Sequence, residues 1–296
     1  MRVAVTGASG FIGRHLVESP VHDWVLLSRR VLPDGNSASV TTDYSTESLL
    51  DALSGVDAVV HLASAKIGRE TGDCPSILLA NLELAHQVFD ACVKSGVRRV
   101  VHISSRMVYG PNDPMPWQEG ADAHPATLYG LSKLCSEKMA GVLFAHVHHT
   151  GAIHLRVPQV IGVPGSGADE HVITTFLRRA NAGENLEVTR NVRRQYLYIA
   201  DAVAAILHCL DADVTEGVFN VAMPQGVSTE EAAQEISGAF GAASRIVSRG
   251  EMHPEALQDV FMDVTKATSE IGFTPSWSFE DAVSDIARTM GEVQRS

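Results

Sequence analysis

A chain of 296 residues can bury a large core, as one big α/β domain or as a main domain with a smaller lobe. Its 35 acidic against 23 basic side chains give a net charge of −12, which argues against nucleic acid or an anionic membrane as partner. No apolar run approaches the length of a membrane span, and a strand pattern, not a signal peptide, opens the chain, so a cytoplasmic protein is expected.

Residues 2–6 are a short β-branched run that reads as a buried strand. Gly7, Gly10 and Gly13 follow at a spacing of three, and a helix over 11–18 begins inside that spacing. A dinucleotide needs this layout. The first glycine permits the tight turn, the second lets backbone approach the pyrophosphate, and the third lets the helix pack on the strand. The helix N-terminus then offers unpaired N–H groups to the phosphates.

A second strand is predicted over 24–28 and a weaker third over 39–42, after which Ser45 or Thr46 caps a helix through Leu53. Residues 57–62 form a fourth strand, a continuous apolar run such as a sheet covered on both faces demands. Helical periodicity over 75–94 stops at Gly96, and 98–104 is the fifth strand. Four prolines (Pro111, Pro114, Pro116, Pro125) make 111–126 a loop. A second long helix covers 127–147, and 152–157 is the sixth strand. This alternation predicts an α/β fold, a doubly wound parallel (Rossmann) sheet with its ligand at the carboxyl ends of the strands.

Beyond Gly162 the regularity fades. Residues 163–169 read as a glycine-rich loop, 171–182 as a helix and 195–199 as a strand; Asp201 caps a helix to Leu210, and 217–221 is a further strand. Helices are expected near 229–240, 265–271 and 279–290. The expected division is a dinucleotide-binding domain over 1–162, with 195–222 returning to it, and a smaller C-terminal α/β substrate lobe from 163–194 and 223–296. Four cysteines stand far apart without a C-x-x-C pair and read as buried, reduced thiols. His146, His148 and His149 have no carboxylate or cysteine at ligand spacing and read as the solvated end of a helix; no metal site is expected.

Tyr129 and Lys133 stand at i and i+4 near the start of the second long helix, so they share one face. A phenol with a pKa near ~10 is a poor base at neutral pH, and a neighbouring ammonium stabilises its phenolate. The same spacing also describes an aromatic ring packed on a lysine stem. Ser105, at the carboxyl end of the fifth strand, can donate to a carbonyl oxygen as charge grows there, although strand-end serines are often plain turn residues.

With these residues in order on one sheet, the sequence resembles the extended short-chain dehydrogenase/reductase family, the group of NAD-dependent sugar epimerases and dehydratases. The resemblance covers essentially the whole chain and is specific for family, weakly so for substrate. T-G-A-S-G-F-I-G matches the family's cofactor loop, which implies that Phe11 and Ile12 present backbone to the pyrophosphate. Asp43-Tyr44 matches its adenine contact, and H-L-A-S (with Leu62, Ala63 and Ser64) its strand-four motif. S-S-R-M-V-Y-G makes Ser105 the catalytic hydroxyl, and Y-G-L-S-K supplies Tyr129 and Lys133. L-R-V-P-Q-V-I-G resembles the segment crossing from nicotinamide to substrate, placing Pro158 near the nicotinamide. R-Q-Y-L-Y-I-A-D resembles the strand whose arginine, here Arg194, reaches a nucleotide-sugar diphosphate. The implied mechanism has Lys133 on the nicotinamide ribose, Ser105 on the reacting oxygen, and Tyr129 as acid in reduction and base in oxidation.

Departures from the family pattern narrow the chemistry. The dehydratase branch carries Thr-Asp-Glu where this chain has Ser105-Arg106-Met107, so sugar 4,6-dehydration is not expected, and Arg106 is taken as a substrate contact. Strand two ends in Ser28-Arg29-Arg30, without the aspartate that would accept from a ribose 2′-hydroxyl. The arginines favour a 2′-phosphate, hence NADP(H), or merely line a solvated strand end. Lys66 occupies a slot where epimerase-like members also carry lysine, and Gln159 stands where they usually have an asparagine on the diphosphate. The first expectation is NADPH-dependent reduction of a nucleotide-activated 4-keto sugar. The alternative is a UDP-hexose 4-epimerase retaining NAD. A non-sugar carbonyl reductase and a non-catalytic NADP-sensing module stand behind these. By resemblance the chain forms a homodimer through its two long helices.

Overall fold

The computed structural model describes residues 1–32, 38–67, 72–147, 149–165, 171–188, 192–241, 246–248 and 259–293. Seven strands form one parallel sheet: β1 (Arg2–Thr6), β2 (Asp23–Ser28), β3 (Ala38–Thr41), β4 (Ala58–His61), β5 (Arg99–Ser105), β6 (Gly151–Val157) and β11 (Gly217–Asn220). Their spatial order is β11-β6-β5-β4-β1-β2-β3, so strand order reverses beside β1 and leaves a crevice at the carboxyl ends of β1 and β4. The connections run through α1 (Phe11–Leu16), α2 (Thr46–Ala52), α3 (Pro75–Lys94) and α4 (Leu128–Phe144). The central strands are buried on both faces, Val3, Val5, Val59, Val60, Val100 and Val101 being fully enclosed. This explains why they read as continuous apolar runs rather than alternating ones.

Helix α3 turns Ile77, Asn81, Ala85, Val88, Phe89 and Cys92 inward. Phe89 meets Phe144 of α4 edge-on at 5.7 Å, in a cluster with Leu49, Leu53, Val100 and Ala152. Each such fully buried large side chain contributes roughly 1.5–3 kcal/mol.

One row across the sheet is polar. His61, His102 and His154 are in register on β4, β5 and β6, and Thr6 of β1 stands beside His61. Thr6 Oγ1 accepts from the N–H groups of Leu62 and Ala63, both at 3.2 Å, so its own proton goes to His61 Nδ1 at 2.8 Å. A hydrogen bond joins the Nδ1 atoms of His102 and His154 at 3.0 Å, one ring donating to the other. Burial holds all three neutral: His61 is pushed down to about 3 and His154 to about 4, and His102 lies well below the usual range.

The chain divides into two compact units, one of Met1–Val157, Ala202–Val221 and Asp263–Thr274, the other of Pro158–Asp201, Ala222–Met262 and Pro275–Ser296. In the second unit β7 (Gln159–Ile161) pairs with β10 (Tyr196–Tyr198), β8 (Leu186–Val188) with β13 (Ile246–Ser248), and β9 (Arg193–Arg194) with β12 (Val227–Ser228). Helix α7 (Thr229–Ala239) packs on α5 (Val172–Asn181) and α9 (Phe279–Val293). Its start is fixed by a capping box between Ser228 and Glu231.

Several expectations need correction. Helix α6 (Ile199–Asp211) starts two residues before Asp201, whose carboxylate instead accepts from Ser276 N, Ser276 Oγ and Trp277 N at 3.0–3.1 Å. Only Cys92 and Cys209 are buried; Cys74 and Cys135 are partly exposed, and all four are free. Helix α4 ends at Phe144, so His146 and His149 follow it, and His148 lies outside the described residues, as do 166–169 of the glycine-rich loop. No metal-holding group of side chains occurs among the described residues, and no helix there is long and apolar enough to cross a membrane.

Candidate active site

The turn after β1 is set by Gly7, which has φ +71° and lies so close to the β4 loop that a Cβ would fall 2.8 Å from Ala63 N. Gly10 N–H closes the turn onto Gly7 O at 2.9 Å, and the first intrahelical bond of α1 runs from Arg14 N to Gly10 O at 3.1 Å. The N–H groups of Phe11, Ile12 and Gly13 therefore precede any intrahelical acceptor and form a ready set of donors for a phosphate. This donor set, on a turn that excludes side chains, fits a dinucleotide pyrophosphate.

Across the sheet edge, Ser28 Oγ accepts from Arg30 N at 3.2 Å, and both Arg29 and Arg30 are exposed. The Arg29 guanidinium lies 5.4 Å from the centroid of the Tyr44 ring. Tyr44 itself is buried, with φ +66°, and its hydroxyl donates to Leu27 O at 3.0 Å. Asp43 accepts from Ser45 N at 2.8 Å, and hydrogen bonding from the Ser45 side chain, then from this backbone N–H, holds its carboxyl below the usual range. Asp43 thus turns the chain into α2, and Tyr44 closes the core beneath Arg29.

The β4 loop is held by a residue the sequence reading passed over. Asn81 of α3 accepts from Ala65 N at 2.7 Å and Ser64 Oγ at 3.2 Å, and it donates to Ala65 O at 3.1 Å and Ser132 Oγ at 3.0 Å. Ser132 in turn donates to Tyr129 O at 2.7 Å, so Asn81 links the loop carrying Leu62, Ala63, Ser64 and Lys66 to α4.

Ser105 ends β5, buried, and its Oγ accepts from Met107 N at 3.2 Å at the start of the short 3-10 turn Arg106–Val108. The start of α4 lies directly against that turn: a Cβ on Gly130 would sit 2.0 Å from Met107 O. Thr127 Oγ1 caps α4 by accepting from Gly130 N at 3.0 Å, and the Asp73 carboxylate accepts from Leu128 N at 2.7 Å and Tyr129 N at 3.0 Å. Tyr129 is half-buried, and Lys133 is buried one turn further along. Lys133 Nζ donates to Ile103 O at 3.0 Å and lies 5.8 Å from the Tyr129 ring centroid. Burial, reinforced by the Lys66 ammonium and opposed by Glu137, brings the Lys133 pKa down to about 8. A strand-end hydroxyl, a phenol and a buried ammonium are thus assembled on β5 and α4, able to hold an oxygen and exchange a proton with it.

The sequence pattern of the NAD dependent epimerase/dehydratase family matches residues 3–222. The chain belongs to this family. It is 23% identical over 314 residues to the dTDP-4-dehydro-6-deoxyglucose reductase of Escherichia coli, covering 97% of each chain. Among solved structures it resembles the UDP-N-acetylglucosamine 4-epimerase of Bacillus cereus, with a TM-score of 0.87 and 27% identity over 98% of this chain and 96% of that one. It also resembles MoeE5 in complex with UDP-glucuronic acid and NAD, with a TM-score of 0.86 and 27% identity over 99% and 100%. The chain is accordingly an NAD(P)-dependent enzyme of the epimerase/dehydratase type, with the doubly wound fold that the sequence implied.

Pro158, Gln159 and Arg194 lie in the second unit, Gln159 on β7 and Arg194 on β9; Arg106 lies in the first, directly after Ser105. Besides Asn81 and Asp73, the sequence reading missed Glu137 and Arg156, which form a buried ion pair at 2.6 Å. The signal was present. Asn81 interrupts the inward stripe of α3, Glu137 continues the Tyr129–Lys133 spacing by one more step of four, and Arg156 is a charge inside a fully buried strand.

Proposed function

We infer that this family member is an NADPH-dependent reductase of the 4-keto group of a nucleotide-activated sugar. The observation that carries the reading is the end of β2. Ser28-Arg29-Arg30 stands where a carboxylate would accept from a ribose 2′-hydroxyl and repel a 2′-phosphate, and Arg29 is propped over Tyr44. Guanidinium groups select for the phosphate by charge and by paired hydrogen bonds.

On this reading the N–H groups of Phe11, Ile12 and Gly13 hold the pyrophosphate, Asp43 and Tyr44 border the adenine, and Leu62, Ala63, Ser64 and Lys66 border the rest of the cofactor. Pro158 is assigned to the nicotinamide. The bound cofactor supplies the hydride. Ser105 donates a hydrogen bond to the carbonyl oxygen, and Tyr129 gives that oxygen its proton. The Lys133 ammonium binds the ribose and stabilises the phenolate left on Tyr129. Arg106, Gln159 and Arg194 are assigned to the sugar nucleotide. Arg194 Nε is buried without a hydrogen-bond partner among the described residues, which suits a site for an anionic oxygen. Ser105-Arg106-Met107 supplies no carboxyl pair for dehydration.

A second reading, a UDP-hexose 4-epimerase keeping NAD through its cycle, is favoured by the likeness to the Bacillus cereus epimerase. Fluorescence titration with NADPH and NADH decides between them. Tighter NADPH binding and oxidation of NADPH by a 4-keto nucleotide sugar support the reductase. Equal affinities, or stoichiometric NAD retained through purification with interconversion of UDP-hexoses, overturn it in favour of the epimerase. The chain is further taken to pair with a second copy through α3 and α4, where Leu79 and Val142 are exposed; sedimentation as a monomer would remove that assignment.

A further inference from the structure

Helix α4 carries Tyr129, Lys133 and Glu137 at successive steps of four, so the three side chains share one face. Glu137 is buried, and the chemistry above does not use it. The Arg156 guanidinium on β6 donates to it twice, from Nε to Oε1 at 3.0 Å and from Nη2 to Oε2 at 2.6 Å. Ser104, the residue before Ser105 on β5, donates to Oε1 at 2.5 Å. Arg156 Nη1 also donates to the Tyr109 hydroxyl at 2.8 Å, and Tyr109 donates to Asn220 Oδ1 at 2.8 Å. One ionic network therefore joins α4, the end of β5, the turn that follows Ser105, β6 and β11.

Stability is a weak reason for such a network. Two ions withdrawn from water lose their hydration, and an apolar pair of the same volume is often as stable or more so. A bidentate guanidinium–carboxylate pair instead supplies direction, because two parallel bonds fix the groups in one relative orientation. It also supplies charge. Lys133 faces Lys66, whose ammonium opposes its protonation, and Glu137, whose carboxylate favours it. Tyr129 lies beside Lys133, and His61 and His102, which also stand near it, are neutral through burial. Around Glu137 stand Arg156, Ser104 and His154, the last neutral for the same reason.

We propose that Glu137 and Arg156 are positioning residues for the Tyr129–Lys133–Ser105 site: their paired bonds lock α4 to the strand end that carries Ser105, and the Glu137 carboxylate stands as counter-charge one turn from the Lys133 ammonium. The proposal rests on the reading of Tyr129 as the acid/base.

The test follows the phenol, with no cofactor or substrate present. Tyrosinate has its own ultraviolet band, so the pH titration of the full chain minus that of Tyr129→Phe reports Tyr129 alone. In Glu137→Gln, Lys133 sheds its proton at lower pH and no longer supports the phenolate, so the Tyr129 midpoint moves up by about one pH unit. In the same variant kcat falls roughly tenfold while cofactor affinity stays within about twofold. Because Glu137→Gln leaves a buried Arg156 without its counter-charge, the double variant Glu137→Met with Arg156→Met accompanies it. That variant folds with wild-type stability or better and shows the same displaced midpoint. An unchanged midpoint in whichever variant folds overturns the proposal, as does failure of both to fold, which would make the pair a stability element. A Tyr129 midpoint near ~10 in the unmodified chain would instead sink the acid/base reading beneath it, and the proposal with it.

Discussion

Gly130 and Met107 meet backbone to backbone, so that any Cβ on residue 130 would lie 2.0 Å from the Met107 carbonyl oxygen and 2.8 Å from its carbon. This contact brings the start of the helix bearing Tyr129 and Lys133 against the turn that follows Ser105. Gly130→Ala must therefore push α4 away from that turn. Overpacking of this kind costs about 1–3 kcal/mol, and a displacement near 1 Å at a reacting pair lowers turnover roughly 100-fold. The expected result is a folded protein with near-normal cofactor affinity and a greatly reduced kcat. Unchanged kcat would show that the contact does not set the spacing.

Asn81 makes four hydrogen bonds to three partners while buried. Asn81→Leu keeps the bulk but leaves Ser64 Oγ, Ala65 N, Ala65 O and Ser132 Oγ without it. An unsatisfied buried group costs roughly 1–3 kcal/mol, so a loss of about 2–4 kcal/mol is expected for the set, read as a lower urea midpoint at unchanged slope. The loop around Lys66 should loosen as well, with faster amide exchange over Ala63–Lys66. A wild-type midpoint would show that water replaces the side chain fully.

What was legible in the sequence follows physical rules that act locally. The run from Pro75 to Lys94 could be bounded to the residue because proline opens it and Gly96 follows its end. The glycine turn and the Tyr129–Lys133 pair are likewise local patterns. The second unit hid its strands, since β8, β9, β12 and β13 are two or three residues long and show no period of two. Asp201 misled because an acidic residue near a helix start reads as a cap, whereas this one binds Ser276 and Trp277 far along the chain. Glu137 and Arg156 escaped for the same reason: they stand 19 residues apart on different elements, and only the fold pairs them.

Lys133 has its pKa brought down from 10.5 to about 8. Below about pH 8 the ammonium is charged in both folded and unfolded states, and the folded state bears the full burden of holding it. Above 10.5 the amine is neutral in both, so stability rises with pH through the window between. The difference amounts to roughly 3 kcal/mol. Lys133→Met removes that burden along with the bond to Ile103 O, so at neutral pH the variant should unfold at a urea concentration no lower than the wild type while losing activity. In the unmodified enzyme, activity that depends on the ammonium should decline as pH rises past about 8. A strongly destabilised Lys133→Met, or an activity profile flat to pH 10, would contradict this assignment.

The histidine row gives a pH dependence of the same sign in a lower window. His61, His102 and His154 are buried and their folded pKa values are depressed, to about 3 for His61 and about 4 for His154. For a depressed group, stability is full above the unfolded value of 6.5 and is lost as pH falls toward the folded one, because the unfolded chain takes up protons that the folded chain refuses. Each histidine contributes a slope of about 1.4 kcal/mol per pH unit well below 6.5, so three together give roughly 4 kcal/mol per unit. Between pH 6 and 4 this loss should dominate acid unfolding, read as a steep fall in the urea midpoint. His102→Phe, which keeps a planar ring between His61 and His154, should remove about a third of the slope. A slope unaltered in that variant would mean that the row is already protonated, or open to water, in the folded protein.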